Sequence, residues 1–505
     1  MLVHAESVDR SLFDHVRDVC VVGGGPAGVT LARALAARGL DVALMEAGGL
    51  EMSAEAQYAY AGEIIGLDYY DPFVARLRFL GGSTNHWGGR CRALDAHDFE
   101  PQSFHPLSGW PIAKTDLDPY AAKAAEILNL EPVPEDAPPD RPDAELFQIF
   151  QSVSRPLVKF GDKHQDELAG AERIDLVLHA NLVDLRLNDG LDTVSEAVFK
   201  SYEPGDPGFA VRARFFCLCM GGLENPRFLL NARSQIPTGI GNQHDLVGRF
   251  FSDHPHYQIG EVLFANEVPR NAHFSTTKEF LDEHQVLNFN VMMLSDELSL
   301  LREASRRVIC STPFTERLAA RVMGPPPIDC AHDALSGAWA QWWEGDAGEL
   351  VGRARINSAP MLNPDSRVLL TEEKDDFGLN RLAVDWRLTE LDFRTMRVAA
   401  ETLGAHVAER NIGRVRISDW LLEDKPTPPG VGDDDVAGYH HMCTTRMSED
   451  PREGVVDRNC RVHGTSNLYL GGSSVFATTG HANPTYTIVQ LALRLADHLA
   501  DAART

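Results

Sequence analysis

The stretch DVCVVGGGPAGVTLARALAARGLDVALMEAGG, residues 18–49, decides the fold. A short apolar run, Val19 to Val22, reads as a buried strand. Gly23, Gly25 and Gly28 then fit G-x-G-x-x-G, and Ala27 to Ala37 carries apolar residues at helical spacing. A second buried strand, DVALMEAG, follows and ends in Glu46. Alone, a glycine triplet is a weak signal; between a strand and a helix, with an acid closing the next strand, it specifies a dinucleotide site. Gly23 permits the turn, Gly25 lets backbone approach a pyrophosphate, and Gly28 lets helix and strand pack closely while the helix amino terminus offers free N–H groups to the anion. Glu46 would accept from ribose hydroxyls. These residues bind an ADP moiety and do not distinguish FAD from NAD.

Working outward, 505 residues exceed the size at which one core keeps growing, so two domains are expected. The reading is α/β (α+β overall): a Rossmann-like nucleotide-binding domain built from discontinuous segments, 1–255 and 425–505, with a mostly antiparallel substrate domain at 256–424. Formal charge is −26, from 47 basic and 73 acidic side chains, which opposes binding to nucleic acid or an anionic membrane. That acidity either favours a cationic substrate or only keeps the surface soluble. No segment is apolar enough to span a bilayer, and MLVHAESVDRSLFDHV has neither the basic start nor the apolar core of an export signal, so a cytoplasmic address is expected. The eight cysteines include one close pair, Cys217 and Cys219, and no repeated CxxC, which excludes a zinc ribbon and favours reduced buried thiols. No metal site is expected, and no Cys-x-x-Cys-His offers a c-type haem.

FLGGSTNHWGGRCRALDAHDFE, from Phe79, is a loop in which Gly81, Gly82, Gly88 and Gly89 let backbone lie against a flat ligand, with His86 and Trp87 inside it. TDLDPYAAKAAEILNL then predicts a helix capped by Thr115, and EPVPEDAPPDRPD a proline-rich connector. Strands are expected in IDLVLHANLVDLRLN, AVFKSYEP and FAVRARFFCLCMGG, the last running into a helix at GGLENPRFLLNA. Residues 256–424 carry further strand-like runs and one helix, LDFRTMRVAAETLGAHVAER, while MGPPPIDCAHDALSGAWAQWWEG has no clear period and is a candidate lid. Near the end, NLYLGGSSVF is a strand feeding a glycine turn. Pro484 suits the first turn of the final helix, Asn483 its cap, and Ile488, Leu491, Leu495 and Leu499 share one face.

With the amino-terminal unit, GGSTNHWGG, MGGLENPRFLL, YHHMCTTRM (439–447) and NPT (483–485) in view, the chain resembles the glucose-methanol-choline (GMC) oxidoreductases. The loop and the ending look most like the bacterial branch containing pyranose oxidases, C-glycoside oxidases and sugar or aminoglycoside dehydrogenases. The resemblance implies FAD. It also implies that His440, directly after the tyrosine of YHxxxT, and Asn483 are the catalytic pair. It places cofactor contacts at Gly82, Ser83, Asn85, His86, Val183, Gly472, Ser473, Pro484 and Thr485, and gives His441 a structural or supporting part. In pyranose oxidases a Thr-His-Trp ties its histidine to the flavin; Asn85-His86-Trp87 keeps histidine and tryptophan but not threonine, which leaves covalent attachment through His86 open. Gly472 stands where many members have an aspartate; pyranose oxidases also have glycine there.

The chemistry agrees with that choice. Taking hydride from an unactivated C–H requires the attached hydroxyl to lose its proton, so a base titrating near neutrality must lie within hydrogen-bond reach, and an amide can orient the oxygen without competing for the proton. The expectation is an FAD-dependent oxidoreductase converting a CH–OH group of a sugar, glycoside or cyclitol-like polyol to a carbonyl, with oxygen or a separate electron acceptor reoxidising the cofactor. An amino-sugar 6′-alcohol dehydrogenase and a flavin lyase on the same scaffold are the alternatives.

Overall fold

The computed structural model describes residues 1–132, 145–265, 272–295 and 351–504. The proline-rich connector beyond Pro132 and the candidate lid lie outside these residues.

The first layer is a six-stranded, wholly parallel sheet of β1 (Leu2–His4), β2 (Arg17–Val22), β3 (Val42–Met45), β4 (Ile174–Leu178), β5 (Ala213–Leu218) and β6 (Leu468–Leu470), in spatial order β1-β4-β3-β2-β5-β6. Parallel strands are covered on both faces, which is why β2 and β3 read as unbroken apolar runs and are almost wholly buried. Helix α1 (Pro26–Ala37) follows the glycine turn after β2, and α2 (Gly221–Asn231) follows β5. The final helix, Thr485–Arg504, packs on α1 and buries Ile488, Leu491, Leu495 and Leu499, the face its spacing predicts.

The second layer is a six-stranded antiparallel sheet in the order Gly413–Ile417, Gln258–Phe264, Val351–Ser358, Phe289–Ser295, Ala272–Ser275 and Phe147–Ile149. The long helix Glu390–Glu409 lies against it. Two elements cross the expected boundary at 255. Phe147–Ile149 forms the edge of this sheet, and Gly62–Ile64 pairs in parallel with Asn380–Asp385.

The helix expected from Thr115 is shorter. Residues 114–116 and 118–120 form 3-10 turns, and the α-helix covers only Ala121–Ile127. Pro119 has no N–H to continue an i to i−4 ladder, so the chain tightens before it can become α-helical. Asp116 rather than Thr115 caps the turn, accepting from the Ala113 N–H at 2.9 Å.

Between the layers, residues 252–255 run antiparallel to 437–442, with bridges Ser252–Met442 and Pro255–Ala437. That pairing brings the carboxyl-terminal histidine pair over the parallel sheet's cofactor end.

Candidate active site

A cavity of about 530 Å³ opens at the carboxyl ends of β2, β3 and β5, where open α/β sheets place ligands. Its floor is the glycine turn. Gly23 has φ +106°, and a Cβ there would lie 2.6 Å from the Cys219 carbonyl oxygen. A Cβ on Gly28 would lie 1.9 Å from the Gly23 carbonyl oxygen, so helix and turn meet as closely as the motif requires. Gly25 meets nothing within 4 Å and caps α1 without a side-chain hydrogen bond, leaving backbone donors facing open space. Glu46 is buried at the wall; one carboxylate oxygen accepts from Gly24 N–H and the other from Gly48 N–H, both at 2.7 Å. Each oxygen keeps a further lone pair for ribose hydroxyls. This donor set and the bare backbone cradle fit an ADP moiety.

The loop after Phe79 forms the next part of the wall. Gly81, Gly82 and Gly89 adopt φ of +96°, +53° and +70°, and Gly82, Ser83, His86 and Trp87 line the cavity. The Trp87 indole donates to the Val158 carbonyl at 2.7 Å, which fixes the loop and leaves the neighbouring His86 ring exposed. Asn85 is not among the lining residues. Its amide donates to the Leu80 carbonyl at 3.0 Å, where it holds the turn closed. Val183 also lies off the wall; Ala180 and Leu182 line it instead, since side chains alternate along the strand Asn181–Leu187.

From the carboxyl end, His440, His441, Gly472, Ser473, Asn483, Pro484 and Thr485 reach the same cavity. Gly472 has φ +98°, and Ser473 Oγ donates to the His441 carbonyl at 2.6 Å. Asn483 does not cap the last helix. That helix begins at Thr485, the Pro484 carbonyl accepts from Ile488 N–H at 2.9 Å, and the Asn483 amide donates to the Arg90 carbonyl at 3.0 Å. The first helical bond closes on the Pro484 carbonyl, which puts Asn483 one residue outside the helix, and its amide turns to the glycine loop.

His440 is half-buried on the cavity wall, following Tyr439 in left-handed geometry at φ +58°. Its backbone N–H donates to Asp253 Oδ1 at 2.9 Å, and its Nδ1 lies 3.0 Å from Nδ1 of His254. Loss of solvent, and beyond it the positive potential of His254, His256 and His441, hold its pKa well below the ordinary histidine value. Burial pushes Asp253 up to about 7, against the Tyr69 hydroxyl that donates to it. His441 is buried and brought down to about 3 by burial and then by Arg76, and its Nε2 has no hydrogen bond among the described residues. His481, whose role the sequence leaves open, is buried away from the cavity wall and pairs through Nε2 with Asp95 Oδ2 at 3.3 Å.

Several lining groups carry no sequence signal. Glu224 accepts from Arg227 at 2.6 Å and Arg76 at 3.0 Å, with Arg78 at 3.8 Å, and Arg227 also donates to Asp375 at 2.5 Å. Burial alone would raise the Glu224 carboxyl; the guanidinium groups of Arg227, Arg76 and Arg78 bring it down to about 2. Arg76 lies 3.8 Å over the Tyr60 ring. ENP in the sequence announces a helix start, but not that its glutamate faces arginines from another loop. Tyr439 lies stacked on Tyr70, ring centroids 4.0 Å apart, and remains 42% exposed at the cavity wall, so one aromatic face is free.

A parallel sheet with a dinucleotide turn, a glycine-rich loop beside it and a histidine and an amide on the same cavity fit an oxidoreductase that carries a dinucleotide cofactor. Comparison with known proteins agrees. The profile described as FAD dependent oxidoreductase matches residues 18–142, and that described as GMC oxidoreductase matches 363–492. The carboxyl-terminal part of the chain is thus of the GMC oxidoreductase type, and the two domains together imply FAD as the cofactor. It is 22% identical to the fructose dehydrogenase large subunit of Gluconobacter japonicus, over 95% of this chain and 97% of that one. It is 25% identical to the 6'''-hydroxyparomomycin C oxidase of Streptomyces lividus, over 98% and 94%. The crystal structure of pyridoxine 4-oxidase from Mesorbium loti shares the fold, with a TM-score of 0.57 at 17% identity, covering 95% of this chain and 99% of that one. Among the described residues, no helix is long and apolar enough to cross a membrane.

Proposed function

We propose that this enzyme oxidises a CH–OH group of a sugar, glycoside or cyclitol-like polyol to a carbonyl. The observation that carries the reading is the convergence of His440 and Asn483, from separate segments, on the one cavity whose floor is the dinucleotide turn. His440 takes the hydroxyl proton. Its pKa lies well below the near-neutral value expected of the base, because the ring is desolvated, which keeps it neutral at neutral pH with its lone pair available as the substrate arrives. Asn483 uses one N–H on the Arg90 carbonyl and keeps a second N–H to donate to the substrate oxygen as negative charge develops there. Bound FAD supplies the hydride acceptor for the carbon. The free face of Tyr439 offers a flat apolar surface beside His440 for a sugar ring.

The names of relatives such as fructose dehydrogenase support a carbohydrate substrate. An amino sugar would call for an acidic partner. Among the described lining residues the carboxylates are Glu46 and Glu224, the first held by backbone amides and the second by arginines, so the site favours a neutral polyol.

The test is anaerobic mixing of holoenzyme with a panel of sugars, glycosides, cyclitols and aminoglycosides. At least one polyol should bleach the visible flavin band, and His440→Ala should slow that bleaching roughly 10³-fold with substrate binding retained. A band that stays yellow while a substrate is converted would mean lyase chemistry instead.

A further inference from the structure

We propose that His254 is a positioning residue that sets which nitrogen of His440 carries the proton; the inference rests on His440 being the base. His254 is wholly buried, and its Nδ1 lies 3.0 Å from Nδ1 of His440, with the two rings edge to face and their centroids 5.0 Å apart. Its other nitrogen, Nε2, is buried, and the backbone groups of Gly480 and Thr479 are the ring's backbone partners. Its neighbour Asp253 accepts from the backbone N–H groups of His440 at 2.9 Å and Gly438 at 3.2 Å. One dipeptide therefore holds both the backbone and the ring of the base.

Two neutral imidazoles meeting through Nδ1 must share one proton between those atoms, since two lone pairs or two N–H groups would repel. If the proton belongs to His254, then His440 carries its own on Nε2 and has no lone pair for the substrate. If it belongs to His440, then Nε2 of His440 is unprotonated and His254 is protonated on its own Nε2. The base requires the second arrangement. When His440 takes the hydroxyl proton on Nε2, its Nδ1–H becomes a charge-assisted donor to His254, which stabilises the imidazolium in the manner of an orienting third residue. Backbone carbonyls of Gly480 and Thr479 face the His254 ring as acceptors, which favours a proton on its Nε2 and leaves its Nδ1 to accept from His440. The other groups facing the pair are His256, whose ring centroid lies 6.0 Å from that of His440, and His441; Asp435 and Arg355 stand behind His256.

The test compares His254→Asn, which keeps an acceptor oxygen near the Nδ1 position, with His254→Phe, which keeps bulk and removes the acceptor. Both are examined as FAD holoenzymes, with flavin content and Tm measured first. Flavin reduction is followed anaerobically against pH with the panel compound that bleaches wild type fastest. His254→Phe should reduce flavin roughly 10²-fold more slowly with substrate affinity within a few-fold. Its acid limb should move to lower pH, because the His440 imidazolium has lost its acceptor. His254→Asn should recover most of the rate. Without substrate, carbethoxylation of His440 by diethyl pyrocarbonate, read by mass spectrometry, should fall in His254→Phe and persist in His254→Asn, since the reagent needs an unprotonated, accessible Nε2. An unchanged rate, limb and labelling in His254→Phe would overturn the proposal, as would equal losses in both variants, which would mean packing alone. If His440→Ala itself reduced flavin normally, the base assignment would fall; if only that variant were impaired, the assignment would stand and the role of His254 would not.

Discussion

At the scale of single residues, the site depends on charges that have no water to fall back on. Glu224 stands between Arg76 and Arg227, all three buried. Glu224→Gln keeps the shape and removes the charge, leaving Arg76 without a carboxylate partner and Arg227 with Asp375 alone. Removing one partner of a buried pair costs about 3 kcal/mol or more. The variant should show a lower denaturation midpoint and, because Arg76 and Glu224 form part of the cavity wall, should lose FAD more readily on dialysis; unchanged stability would mean that water reaches the cluster. Glu46 was legible because it closes a motif with defined spacing, and His440 and the loop histidine His86 stood out only because their segments resemble GMC patterns. Arg76, Glu224 and His254 were not legible, since a guanidinium or imidazole carries no local mark of the partner it meets from a distant segment.

At the scale of elements, the decisive contact is between turn and helix. The Cβ of Gly28→Ala would fall 1.9 Å from the Gly23 carbonyl oxygen, and that atom is backbone, so α1 must move off the sheet. The loss should be at least about 2 kcal/mol, typical of overpacking without room to relax, and the purified protein should carry less flavin per chain. Measured flavin content equal to wild type would contradict the role given to this close approach. The β2-turn-α1-β3 unit was readable because each part is specified by its own neighbours: an apolar run, a glycine series and helical spacing. Other elements depended on more. Pro119 shortened the expected helix, the pleat of Asn181–Leu187 put Leu182 rather than Val183 on the cavity, and the Asn483 amide found the Arg90 carbonyl instead of capping a helix.

At the scale of the whole molecule, many histidines are held neutral inside. His254 and His441 lie near 3, and His105, His164 and His256 near 4, burial being the main cause for each. Their unfolded values lie near 6.5, so between those limits the unfolded chain binds more protons than the folded one. The stability they allow is complete above about pH 6.5 and is lost as pH falls through the folded values. Asp253, raised to about 7, acts in the other sense, and its contribution weakens as pH rises through that value. The melting temperature should therefore peak near neutrality and fall steeply between about pH 6 and 4; a flat profile across that range would show that these rings are not neutral and buried in solution. By itself the sequence determined the cofactor-binding unit and the glycine loop, because those features arise from backbone conformation and spacing within a few tens of residues, while the candidate base rests on the resemblance of residues 439–447 to the GMC pattern. Only the tertiary structure decided what surrounds that base, because residues 252–255 and 437–442 come together by strand pairing between layers, and burial shifts a pKa through neighbours no linear spacing encodes.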